Sequence, residues 1–396
     1  MPYPPADGGA QVMHYTTLGL MANHIEVKTL AINPTRNFID AATLPEDYKR
    51  LTGFECVTVD TRINPLSILI NLFGSESYFT RRFISTDFSA KLRSVLSSGH
   101  YDIVQLEHLY LCNYIDTIRE STGAKIILRP QNVEYVIWER YLEGVGNPFK
   151  KCFLGIATSR LKKFEQGIAG RLDGIMALTK EDAALFTSFS TKTPVRIIPM
   201  GYDYCLLRGY DFQRQYHGPP VVYHLGSMNW LPNAEAIEWF FNFVYPILVQ
   251  QGMPMKLSIA GNDMPAWVYK YRSEQVEVLG AIHTPLQYQE EKQIMMVPLW
   301  SGSGIRAKII EGLALGKTII STSIGAQGIE YEHGKNILIA DTPEDFAGQL
   351  IRCCQSPELC REFGDNARKL SESCYHSEIT AKKMVEFYKQ ITGTNG

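Results

Sequence analysis

The chain has 396 residues, 45% of them hydrophobic and 20% charged, which is ordinary for a soluble globular protein of two or three domains with room for sizeable cores. Its 39 Lys and Arg against 41 Asp and Glu exclude a global draw to nucleic acid, so any anion site must be local. No apolar run approaches the length of a membrane helix, no signal peptide opens the chain, and the eight cysteines and nine histidines show no metal-ligand spacing. These features predict a cytoplasmic protein with reduced thiols and no bound metal.

The chain opens on MPYPPADGGAQ (1–11), a Pro-Gly loop running into a helix. A doubly wound sheet normally opens on a central strand, so about six residues or more of strand are expected upstream of Met1, lost to a mis-called start. A domain truly without that strand would carry a gap in the middle of its sheet.

Short β-branched runs then alternate with helical patterns: IEVKTLAI (25–32), ECVTVD (55–60), DIVQLE (102–107), KIILRPQ (125–131), GIMAL (174–178) and VRIIPM (195–200). Such alternation predicts a parallel sheet covered by helices on both faces. Two stretches mix apolar with basic residues, PLSILINLFGSESYFTRR (65–82) and FKKCFLGIATSRLKKF (149–164). Each reads either as a helix lying on an anionic membrane or as a core helix with a solvated charged face.

A polar connection, GYDYCLLRGYDFQRQYHGPP (201–220), marks a domain boundary, after which the pattern restarts with VVYHLG (221–226), MKLSIAG (255–261), VEVLG (276–280), MMVPLW (295–300), TIIST (318–322) and NILIA (336–340). The expected organisation is α/β, with a Rossmann-like domain over 1–200, a second over 218–374, and a closing amphipathic helix in 375–396 that crosses back to the first.

The chemistry concentrates in GSGIRAKIIEGLALGKTIIST (302–322). Its end imitates a phosphate-binding P-loop, but Glu311 stands where such a loop needs its first glycine, and Gly316-Lys317-Thr318 follows the helix instead of preceding it. Residues 297–322 read instead as strand, glycine loop, helix from about Ile305 to Leu315 capped by Gly316, and strand. Glycines at a parallel strand's carboxyl end admit an anion to backbone amides, and the helix that follows points its free N–H groups at it. Arg306 and Lys308 oppose the helix dipole unless an anion is bound, and Glu311 lies on the face of Lys308, where a carboxylate suits a pair of ribose hydroxyls. The alternative is an ordinary Gly-Ser-Gly turn followed by a surface Lys-Glu pair.

VPLWSGSGIRAKIIEGLALGKTIISTSIGAQGI (297–329) closely resembles the nucleotide-sugar motif of the retaining glycosyltransferases of family 4, which have the GT-B fold of two Rossmann-like domains facing across a cleft. YPPADGGAQ (3–11) resembles that family's glycine loop, with Gly8 and Gly9, and HLGSMNWLPN (224–233) its first carboxyl-domain loop. The resemblance implies transfer of a sugar from a nucleoside diphosphate to an acceptor hydroxyl with retention, without metal or other cofactor. It implies a donor site at Gly226, Ser227, Gly302, Ser303, Gly304, Ile305, Arg306, Lys308 and Glu311.

Glu311 matches the second carboxylate of the family's E-x7-E pair, and Ser303 stands where the first would be. The family's diphosphate Arg and Lys fall on Ser227 and Pro232, so Arg306 and Lys308 are expected to take over that role. In the first domain Glu107 stands in the place of the family's active-site His, beside His108. With Glu311 it is the expected catalytic carboxylate, its alternative being a cap on the following helix. Arg129 and Asn132 follow another strand end and are expected near it. The implied partners are a nucleotide-sugar donor and a glycan or lipid-linked acceptor in surface polysaccharide synthesis, with peripheral contact at the inner face of the membrane and no nucleic acid. The rival readings are a nucleotide-sugar epimerase of the same fold and a non-catalytic binding relative. Base and sugar are not legible.

Overall fold

The computed structural model describes residues 1–5, 8–62, 74, 76–212, 220–253, 255–302 and 304–394. Ser303 and most of the apolar part of 65–82 therefore lie outside the described residues. The chain groups into two compact units, residues 1–201 with 303–305 and 377–396, and residues 202–302 with 306–376.

In the first unit, helix α1 (Gly8–Ala22) begins at the Gly8-Gly9 pair and leads to β1 (Leu30–Pro34), which pairs parallel with β2 (Glu55–Val59). Helix α2 (Thr86–Ser97), capped by Ser85, precedes a separate parallel sheet of β3 (Ile103–Leu106), β4 (Lys125–Leu128), β5 (Gly174–Ala177) and β6 (Val195–Ile197). The β-branched runs form strands because both of their faces are covered: β5 is buried along its whole length and β4 at all but its first residue. One prediction shifts. Residues 25–29 of IEVKTLAI are not strand, and β1 starts at Leu30 because its partner starts only at Glu55, after Gly53 has ended the preceding helix in the left-handed conformation.

Helix α3 (Pro148–Ala169), capped by Asn147, realises the second basic-apolar stretch. Leu154, Ala157, Leu161 and Ile168 face the core, whereas Phe149 at its start is 87% exposed. The closing helix Ser377–Thr392 sets Met384 and Phe387 against Leu20 of α1 and Ile127 and Met176 of the sheet. No helix among the described residues is long and apolar enough to cross a membrane.

The second unit is one parallel sheet in the order β12-β11-β10-β7-β8-β9, formed by β7 (Val221–Leu225), β8 (Lys256–Ala260), β9 (Val276–Val278), β10 (Ile294–Val297), β11 (Thr318–Ser321) and β12 (Leu338–Ile339). The chain winds outward from β7 through β9 and then returns to the other side of β7 with β10. That reversal opens a crevice beyond the carboxyl ends of β7 and β10, where open α/β sheets place their ligands.

Candidate functional site

Two loops converge at that crevice. After β7 the chain runs through Gly226 and Ser227 into α4 (Leu231–Trp239); after β10 it runs through Pro298 to Gly302 and on to α5 (Ala307–Ala314). Gly302 takes φ +102°, which a side chain would resist. Arg306 is the N-cap of α5 and its side chain makes no capping hydrogen bond, so the helix presents its first amides without a side-chain cap. Leu315 and then Gly316, with φ +63°, close the helix.

Lys308 reaches from the first turn of α5 to Asn233 in the first turn of α4, donating to Oδ1 at 2.8 Å, while Asn233 Nδ2 donates to the carbonyl of Ser227 at 2.8 Å. Gly226 lies directly beneath this pair: a Cβ there would come within 2.6 Å of Asn233 Nδ2 and 2.7 Å of Lys308 Nζ. Only glycine lets ammonium, amide and backbone approach this closely. His224, two residues earlier, is fully buried. Its Nδ1 lies 3.1 Å from the carbonyl of Met296, and no hydrogen-bond partner among the described residues meets its Nε2. Burial and the charge of Lys308 hold His224 well below its usual range, so the ring is neutral and Nδ1 is the donor. Arg306 is 4% exposed and sits over the Trp230 ring at 5.6 Å, close under Gly302.

Burial pushes Lys308 down to about 7, with Arg306 adding to the effect and Glu311 opposing it. Burial likewise pushes Glu311 up to about 7, against the pull of Gln289 and Lys308. Both side chains are half-buried by surface area yet lie deep among protein atoms. A cation held near its titration point by desolvation is poised to gain from an arriving anion. Ser301 Oγ donates to Glu235 Oε2 at 2.6 Å, tying the glycine loop to α4.

In the first unit Glu107 and Arg129 form a buried network, which does not include Gly8 and Gly9 at the start of α1. Glu107 follows β3, and its carboxylate does not cap the next turn, which starts at Leu109 with no side-chain cap. It receives Gln105 Nε2, which leaves Gln105 Oε1 to accept from Tyr388 of the closing helix. Glu107 Oε2 stands 3.6 Å from Arg129 Nη1, a guanidinium that is fully buried and also donates to the carbonyl of Pro199 at 3.4 Å. Burial raises Glu107 above the usual carboxylate range, with Arg129 and Gln105 opposing. Gly304 groups with this unit, where a Cβ would overlap Asn132 Oδ1. Ile305 is half-buried.

Sequence reasoning missed His224, Asn233, Glu235 and Gln289. Asn233 carried a readable signal, a short polar side chain in the first turn of a helix that opens Leu-Pro-Asn. The others become visible only when β7, β10 and their helices are brought together.

Residues 219–356 match the family described as glycosyl transferases group 1. An uncharacterized 44.6 kDa protein in the cps region of Klebsiella pneumoniae is 22% identical over 306 residues, spanning 73% of this chain and 74% of that protein. Among solved structures, sucrose-phosphate synthase from Thermosynechococcus elongatus superimposes with a TM-score of 0.67 at 16% identity, covering 98% of this chain and 95% of that one. Anabaena HepE in complex with UDP gives a TM-score of 0.60 at 13% identity, covering 98% and 97%. The chain has the GT-B fold.

Proposed function

We propose that this protein is a glycosyltransferase whose second unit binds a nucleoside-diphosphate sugar at the glycine loop and the amino terminus of α5. One observation carries the reading: Gly226, Asn233 and Lys308 meet where the strand order reverses, and the absence of a side chain at Gly226 lets a desolvated ammonium lie against the main chain. The family match over 219–356 covers this region, and the UDP complex of HepE supports a diphosphate-bearing ligand.

In the reaction the bond between the anomeric carbon and the β-phosphate oxygen breaks, and the acceptor hydroxyl forms the new glycosidic bond. Its proton passes to the departing diphosphate. Lys308, Arg306 and the first amides of α5 meet the charge that develops on that leaving group, without calling on a metal ion. Glu311 clasps the ribose hydroxyls, and the configuration at the anomeric carbon is retained. The cps-region relative supports a surface glycan as the acceptor. Exposed Phe149, beside Lys150 and Lys151 at the start of α3, supports approach to a membrane-borne form of it.

The test is thermal unfolding with UDP, GDP and ADP and their glucose esters, followed by transfer to glycan acceptors. One nucleoside diphosphate is expected to raise the Tm by several degrees, as a ligand at about 100 times its Kd adds roughly 2.7 kcal/mol. If none of them shifts the Tm, the donor-site assignment fails.

Binding should also depend on pH. The diphosphate selects protonated Lys308, which burial has brought down to about 7 in the empty site. Affinity is therefore greatest below that pH and falls by up to roughly tenfold per unit above it, until the pKa of the bound state is reached. Calorimetric titration of the nucleoside diphosphate between pH 7 and 9, where the ligand's own charge is nearly constant, reads this directly. A flat profile would remove the Lys308 charge from the site.

A further inference from the structure

The carboxyl ends of the first unit's strands, where α/β sheets place their ligands, gather a second set of charges apart from Glu107 and Arg129. Arg36 lies in the turn that follows β1, His108 and Tyr110 follow β3, and Glu134 opens the helix (Glu134–Glu143) that follows β4. Arg82 closes the short helix Tyr78–Arg81 just before α2. The segment after β3 holds its turn in place: Tyr114 Oη donates to the carbonyl of Phe83 at 2.6 Å and accepts from the amide of Ser85 at 2.9 Å, and Asn113 Nδ2 donates to the carbonyl of Thr80 at 3.1 Å. The side chains then stack in order. The Arg82 guanidinium lies over the Phe83 ring at 5.0 Å, Phe83 on Tyr110 at 3.9 Å and Tyr110 on His108 at 4.9 Å, the stacked ring planes within 13° of parallel. All four are half-buried, so the pile keeps an edge to solvent.

The charges here are not balanced as a structural cluster would be. Arg82 Nε is sealed from solvent with no hydrogen-bond partner among the described residues. Burial pushes the guanidinium below its usual range and Arg36 pushes it further, while Tyr78, Tyr110 and Glu134 pull it back. Other acids at this end are engaged elsewhere: Asp60 holds Arg62 through two side-chain hydrogen bonds, Glu76 pairs with Arg81 and Glu107 with Arg129. Glu134 is half-buried, and burial pushes it up to about 7 with Arg82 opposing. The two act on each other through space without a hydrogen bond between them. A cation and an acid that share a field but do not touch keep most of their desolvation cost. A ligand that brings an oxyanion to one and a hydroxyl donor to the other offsets it.

We propose that this face of the first unit binds an acidic sugar, with its carboxylate or phosphate on Arg82 and Arg36, its ring against the open edge of Tyr110 and His108, and a neighbouring hydroxyl donating to Glu134. Each part of the site selects one part of that ligand. Guanidinium groups match a planar or tetrahedral oxyanion through paired donors, the aromatic pile offers an apolar surface to the C–H face of a pyranose, and an unprotonated Glu134 accepts only from a donor such as a hydroxyl. A neutral sugar would leave the Arg82 guanidinium as it stands in the empty protein. In the glycosyltransferase reading, on which this last step alone rests, the acidic sugar is the residue of the acceptor glycan that receives the transferred sugar.

The test is NMR titration of the whole protein, without nucleotide, against glucuronate, glucose 6-phosphate, glucose and inorganic phosphate. Both sugar acids should bind at least about tenfold more tightly than glucose, the lower end of what one charge-assisted hydrogen bond contributes, and glucose 6-phosphate more tightly than inorganic phosphate. Whichever acid binds tighter tells a carboxylate-bearing ligand from a phosphate-bearing one. Arg82→Gln should bring both acids down to the affinity of glucose. Arg36→Gln, at an exposed position, should weaken them in the same direction and gives the reading if Arg82→Gln does not fold. Nucleoside-diphosphate affinity, which reports on the second unit, should be unchanged in both variants, so failure of the donor-site reading and failure of this proposal are separate results. Glucose bound as tightly as the acids would overturn the proposal, as would inorganic phosphate bound as tightly as glucose 6-phosphate. So would acid affinities that the folded arginine variants leave unchanged.

Discussion

Replacing Lys308 with Met is expected to weaken nucleoside-diphosphate binding by about 10–150-fold while leaving the fold as stable as before, or more so. The two effects have one cause. Burial holds the Lys308 ammonium down to about 7, so the empty protein bears the cost of a desolvated lysine whose contacts are Asn233 Oδ1 and the Glu311 charge. Methionine fills a similar volume without that cost. A bound diphosphate would turn the same ammonium into a charge-assisted donor contributing roughly 1.5–3 kcal/mol, and each 1.4 kcal/mol is tenfold in affinity.

Lys308 is a cleaner probe than Arg306. Arg306 packs over Trp230 and beneath Gly302, so its truncation removes packing together with charge. Titration calorimetry beside thermal unfolding separates the outcomes for Lys308→Met. Unchanged affinity would place the diphosphate elsewhere, and a Tm lowered by several degrees would make the lysine a structural strut.

The fold was legible because burial on two faces writes itself into composition. The runs that became β4 and β10 are nearly continuous Ile, Met, Leu and Val, and those that became β5 and β11 hold such a pair between small residues, a pattern that fits strands buried on both faces. Where a boundary depended on pairing, sequence failed: nothing in IEVKTLAI shows that the strand starts only at Leu30, because the limit is set by Glu55 on another strand. The site divided in the same way. Gly302, Arg306, Lys308 and Glu311 could be singled out because they share one short segment whose helical spacing fixes their mutual placement. Gly226 is different. Its purpose is to let Asn233 and Lys308 approach, and those come from helices that follow different strands. His224 reads as an ordinary strand residue until the Met296 carbonyl and Lys308 are placed around it. Residues joined by local geometry can be read from order along the chain; residues joined by sheet topology cannot.

Glu107 separates structure from chemistry in the first unit. Glu107→Ala is expected to lower the stability of that unit by about 3–5 kcal/mol, because it leaves Arg129, fully buried, without its counter-charge and strips Gln105 of its acceptor. At roughly 2–4 °C per kcal/mol for a unit of this size, that is a fall of about 6–20 °C in Tm. Loss of activity in this variant would therefore say nothing about mechanism. Glu107→Gln is the informative change. An amide keeps its one oxygen for Arg129 and turns its NH2 to Gln105, whose own amide can turn over to offer Oε1 while its Nε2 donates to the Tyr388 hydroxyl, so the network and the nucleotide affinity should survive with a much smaller loss of stability. If the carboxylate steadies positive charge at the anomeric carbon, kcat should nevertheless fall by roughly 10²–10³-fold with Kd for the donor nucleotide unchanged. Full transfer activity in Glu107→Gln would assign this residue to holding Arg129 and Tyr388 in place and nothing more.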